Sequence, residues 1–171
     1  MILGMSIGDF TLLHTVISVI AIISGFIVLG GMYAARRLPG WTELFLVTTA
    51  LTSITGFFFP NTKITPGQVF GAITLIVMVP TLVALYGFHL RSAWRWIYAG
   101  GTVIILYLNV FVLVAQLFAK VTILQPLAPT QSEPPFLITE FIVLAIFVVL
   151  GILALVRFHP QRNGRLAGAT A

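Results

Sequence analysis

The chain has 171 residues, of which 59% are hydrophobic and 8% charged, with nine Lys and Arg against four Asp and Glu. Soluble domains carry about 25% charged residues, so this complement is too small to coat a water-exposed surface. It excludes a soluble enzyme, a nucleic-acid-binding domain and a disordered chain. The net charge of +5 reflects scarce acids rather than a basic patch, and the absence of cysteine removes disulfides, thiolate metal sites and thiol nucleophiles. An integral membrane protein remains.

Crossing the hydrocarbon core as a helix takes about 20 mostly apolar residues. Five stretches qualify, roughly 11–35, 41–59, 68–88, 97–119 and 137–157. None alternates apolar and polar residues as a barrel strand does, and in lipid a continuous apolar run satisfies its backbone only as a helix. The reading is all-α: one domain, 1–171, built as a bundle of five transmembrane helices.

In the first span His14, Ser18, Ala21 and Gly25 share one stripe. Small residues in a stripe admit a neighbouring helix, so a packing seam ranks ahead of a proton-handling or ligand role for His14. No Lys or Arg precedes Thr11, which reads as a retained helix rather than a cleaved signal peptide. The second span is rich in hydroxyls, with Thr48, Thr52 and Thr55 on one face and Thr49, Ser53 and Gly56 beside it. Such hydroxyls bond back to their own helix or across to a neighbour, so packing again ranks ahead of a hydrophilic pathway. Glu43 is expected at the headgroup level.

Pro80 in the third span lacks the N–H that would reach the carbonyl of Ile76, and a kink is expected there. In the fourth span Thr102, Asn109 and Gln116 recur every seven residues. An Asn at mid-bilayer must face the bundle interior, a partner subunit or a cavity, and an inter-helix hydrogen bond ranks ahead of a binding role. In the fifth span Glu140, Leu144, Phe147, Gly151 and Ala154 are expected on the inner stripe.

The breaks set the orientation. With five spans, Arg36, Arg37, Arg91, Arg95, Arg157, Arg162 and Arg165 fall on one side, and only Lys63 and Lys120 on the other. The positive-inside rule places the N-terminus outside and the C-terminus in the cytoplasm. Trp41, Trp94 and Trp96 fall at the cytoplasmic boundary, as an aromatic belt does. The tail from Asn163 is small-residue-rich and is read as frayed.

Intramembrane polar residues are where function is sought first. His14, Gln116 and Glu140 lie at a similar depth near the outer boundary on three different spans. Together with Asn109 they form the candidate ligand-binding cluster, with the Pro-rich break that carries Gln131, Ser132 and Glu133 as its cover. A His beside a carboxylate could relay protons. For a b-type haem the candidate ligands are His14, His89 and His159, but facing His residues at one depth are required, and only His14 is near the outer end. No HExxH, GxSxG, Walker or GxGxxG motif is present, so no catalytic residues, metal site or cofactor are expected, with haem b kept as an alternative.

Three stretches carry a resemblance. They are Arg37-Leu38-Pro39-Gly40-Trp41 leading into Thr52–Phe57, then Tyr107-Leu108-Asn109-Val110-Phe111, then Leu127–Phe136 with its prolines. Together they resemble a group of small, uncharacterised polytopic proteins of the bacterial inner membrane. The resemblance implies that location and carries no activity. The expected function is an accessory or interaction subunit, or a homo-oligomer, whose partners are the bilayer, itself or another membrane subunit, and no nucleic acid. The alternatives are permeation of a small molecule or ion along a polar face, and a haem- or quinone-binding redox role.

Overall fold

The computed structural model describes Ile2 and residues 4–60 and 64–159, so Lys63, Arg162, Arg165 and the tail lie outside the described residues. Among the described residues there are five α-helices: α1 (Ile7–Tyr33), α2 (Pro39–Gly56), α3 (Pro66–Leu82), α4 (Trp94–Lys120) and α5 (Pro134–Arg157). The starts are set by local chemistry. The Ser6 hydroxyl caps α1 by accepting the Asp9 amide at 3.1 Å. Thr65 and Gln68 form a reciprocal capping box at α3. Proline opens α2, α3 and α5, where its missing N–H costs nothing.

Pro80 leaves the helix continuous but changes its winding. A π-helical turn over Val83–Gly87 follows α3 directly, and the Phe88 amide reaches back to the Val83 carbonyl at 3.0 Å. The expected irregularity is therefore an over-wide turn downstream of the proline.

Neighbours in sequence pack side by side, and α1 also meets α4 and α5, closing the ring. The pairing of α1 with α2 keeps a constant antiparallel register. Gly31 faces Leu38, Gly25 faces Phe45, Ser18 meets Thr52, His14 meets Thr55 and Phe10 meets Phe59. Close approach depends on glycine at two crossings. A Cβ on Gly25 would lie 2.6 Å from Leu106 of α4 and 2.8 Å from the Phe45 ring of α2, and one on Gly101 would collide with the Thr81 hydroxyl.

Among the described residues four helices are long and apolar enough to cross a membrane: Ile7–Tyr33, Pro66–Gly87 (α3 with its π turn), Trp94–Lys120 and Pro134–Arg157. That is consistent with a multi-pass membrane protein. The hydroxyl-rich α2 is not among the four, although it runs beside α1 from Leu38 to Thr55. The main apolar core, including Met32, Phe45, Leu85, Tyr98, Leu106 and Phe158, sits toward the end bearing Arg36, Arg37, Arg91 and Arg95. A smaller cluster of Phe118, Ala128 and Phe136 closes the opposite end.

Candidate functional site

Two sets of polar side chains on the helices bear on function. The first is the seam between α1, α2 and α4. His14 Nδ1 lies 2.8 Å from Thr55 Oγ1. The Thr55 hydroxyl also reaches the Leu51 carbonyl at 2.7 Å, an arrangement that suits the His14 tautomer with its hydrogen on Nδ1. The ring is fixed further by Phe59, edge-on at 5.3 Å. One turn on, Ser18 donates to the His14 carbonyl at 2.7 Å and touches Thr52 at 3.4 Å. Asn109 donates to Thr49 Oγ1 and to the Ile105 carbonyl, each at 3.2 Å. The structure thus sets the His14–Gly25 stripe against α2 and α4 and joins Asn109 to Thr49 of α2.

The second group is on α5. Glu140 is 7% exposed, and both of its oxygens are buried without a hydrogen-bond partner. Its stripe is aromatic. Phe136, one turn toward the Lys120 end, packs against Phe118 at 5.5 Å and Phe111 at 6.4 Å, and Phe147, two turns toward the arginine end, packs against Tyr107 at 5.7 Å. Leu144, expected inside, is exposed at 38%, whereas Val143 packs against the core. The buried positions 136, 140, 147 and 154 follow the seam toward α4, and 144 falls past its edge.

The three helices that carry His14, Gln116 and Glu140 are neighbours, but their polar ends turn to different places. His14 and Asn109 turn to α2, Glu140 lies in the aromatic seam, and Gln116 is exposed. No hydrogen bond joins any two of these four among the described residues. His89 and His159 are both exposed, in the connection before α4 and just after α5, at the end opposite His14. No group of three His, Cys, Asp or Glu capable of holding a metal occurs among the described residues.

The Pro-rich connection is held by contacts the sequence did not single out. Gln131 Nε2 donates to the Ala115 carbonyl of α4 at 2.7 Å. The Glu133 carboxylate accepts from the Thr130 hydroxyl at 2.8 Å and from the amides of Thr130 and Ser132 at 3.1 Å each. The Thr130 hydroxyl first, and those amides with it, hold the Glu133 carboxyl below the usual carboxylate range. An open cavity of ≈ 260 Å³ lies under this connection, lined by Phe118, Gln125, Ala128, Pro129 and Gln131 among others. A second, also ≈ 260 Å³, runs between α2 and α3 past Glu43, Met78 and Tyr86. Neither is lined by His14, Asn109, Gln116 or Glu140. Comparison of the chain with protein-family models, with curated proteins and with solved structures gives no match.

Proposed function

We propose that this chain is an accessory or interaction subunit of a bacterial cytoplasmic membrane, crossing it five times with the N-terminus outside and assembling with itself or with another membrane protein. One observation carries the reading: His14, Ser18, Thr49, Thr52, Thr55 and Asn109 make contacts between helices α1, α2 and α4. Thr49 and Asn109, the polar groups a pathway along α2 and α4 would need, bond to each other. The outer face of α5 adds to this, because only 17% of its apolar window is buried and Phe141, Ile142, Val149 and Ile152 are exposed on it. Helix faces of this kind are covered in a membrane by lipid or by another helix.

The orientation rests on the described charges as well as on the whole sequence. Arg36, Arg37, Arg91, Arg95 and Arg157 share one end, and Lys120 is at the other. The crossing by α2 rests on its register with α1. Eighteen residues span about 27 Å at ~1.5 Å per residue, close to the ~30 Å of the hydrocarbon core.

The test is purification in mild detergent with light scattering, cross-linking in the membrane, and reconstitution into liposomes. The expected result is a defined oligomer or a cross-linked partner, a flat visible spectrum, and no flux of protons or small ions above protein-free liposomes. Flux would replace this reading with permeation. A Soret band sharpening on reduction would replace it with a haem protein.

A further inference from the structure

A carboxyl group buried among apolar side chains needs a proton, a hydrogen-bond donor or a counter-cation. Around Glu140 the donor is missing: both oxygens are buried and unpartnered. A bound metal cation is missing its ligands too, because Ca²⁺ and Mg²⁺ take about six or more oxygens, and no cluster of acidic or His side chains accompanies Glu140 among the described residues. A cationic side chain from another subunit has no route, because the oxygens are sealed by the chain's own packing. A proton is the occupant that fits.

We infer that Glu140 is a proton-binding site within the helix bundle, closed from the outer face by Phe136. The site goes beyond the accessory role and does not depend on it. Phe136 is 6% exposed, stands one helical turn outward of Glu140, and is wedged edge-on between Phe111 and Phe118. Above it the connection is pinned to α4 through Gln131 and Ala115. Proton exchange with the outer surface therefore requires Phe136 to swing aside. The ionisable groups on the elements around the site are few. On α4 they are Tyr107, which packs against Phe147 at 5.7 Å, the exposed Lys120 at one helix end, and Arg95 and Tyr98 at the other. On α1, Tyr33 donates to the Leu150 carbonyl at 3.0 Å and His14 is held by Thr55. In the connection, Glu133 is engaged with Thr130 and Ser132. None of these hydrogen-bonds to Glu140.

The experiment treats the full chain in lipid nanodiscs with dicyclohexylcarbodiimide, which adds to neutral carboxylic acids in apolar surroundings, and maps adducts by peptide mass. The expected result is one adduct, on Glu140, absent in Glu140→Gln. Its rate falls about tenfold for each pH unit once the group has deprotonated and rises severalfold in Phe136→Ala. Circular dichroism checks that both variants keep their helix content. An infrared acid carbonyl band that titrates with pH and is lost in Glu140→Gln is the second expected signature. The inference is overturned by no adduct on Glu140 in either wild type or Phe136→Ala, by a rate independent of pH, or by an acid band that survives Glu140→Gln. Liposome flux speaks separately: its appearance would sink the accessory reading and leave the proton site standing.

Discussion

The α1–α2 pair and the α4–α5 pair solve the same problem with different chemistry. Between α1 and α2 the contact is made by glycine, hydroxyls and one imidazole, in register from Gly31–Leu38 to Phe10–Phe59. Between α4 and α5 it is made by aromatic rings toward the Lys120 end and by Gly151 against Val103 further along, and Glu140 in the seam has no hydrogen-bond partner. In lipid there is little hydrophobic drive to bring helices together, so close packing and inter-helix hydrogen bonds must do it. The first pair uses both. The second uses packing and carries a carboxyl with no hydrogen-bond partner. A polar residue in an apolar helix can thus be structural or surplus to structure, and only its partners tell which.

Substitutions break this contrast in order of size. Gly25→Leu forces α1 away from Phe45 and Leu106 and should cost about 3 kcal/mol, the upper end of overpacking effects, read as a lowered Tm in detergent. An unchanged Tm would mean that the seam is looser than described. Glu140→Leu should act in the opposite direction. Replacing a buried, unpartnered polar group by an apolar one of similar size returns about 1–3 kcal/mol, seen as a raised Tm. A fall in Tm would show that the carboxyl has a structural partner.

Asn109→Leu sharpens the same comparison, because here the polar group is bonded. Loss of the contact to Thr49 should cost about 0.6–1.7 kcal/mol, and Thr49→Val should add little once Asn109 is gone, a double-mutant cycle being the check. At the small end is the Glu133 connection. Its carboxyl titrates below the usual range in the folded chain, so its contribution is complete above the ordinary carboxylate pKa. The contribution is lost as pH falls through the lowered one. The amide protection of Thr130 and Ser132 relative to Glu133→Gln should therefore decline in acid and hold at neutral pH.

Much of the fold is legible in the sequence because apolar run length and turn chemistry are local. The helices begin a few residues before the apolar runs do, at Ile7 after its Ser6 cap and at Pro39, Pro66 and Pro134, since caps and prolines are polar or neutral and do not register in hydropathy. The stripe His14-Ser18-Ala21-Gly25 is readable as a seam from spacing alone. What it faces is not readable, because helix adjacency is a property of the whole ring. For that reason the equal depth of His14, Gln116 and Glu140 does not translate into a shared cluster: each helix turns its polar residue by its own packing. Leu144 illustrates the limit. Spacing by four and by seven from Glu140 are both helical, and only the position of α4 selects Phe147 over Leu144. The Gln131 and Glu133 contacts depend on how a loop folds back on α4: the sequence marks these residues as polar groups of a Pro-rich connection but does not give their partners.

The central claim is that α2, despite its hydroxyls, crosses the membrane locked against α1. The chain has no cysteine, so single thiols can report it directly. Gly40 at the arginine end has open space around it, and Ile64 beyond the far end of α2 is 81% exposed. With Gly40→Cys and Ile64→Cys expressed separately in a bacterial inner membrane, a membrane-impermeant maleimide added from outside should label the Ile64 variant. The Gly40 variant should label only after permeabilisation. Labelling of both from the same side would contradict the account, because α2 would then return without crossing.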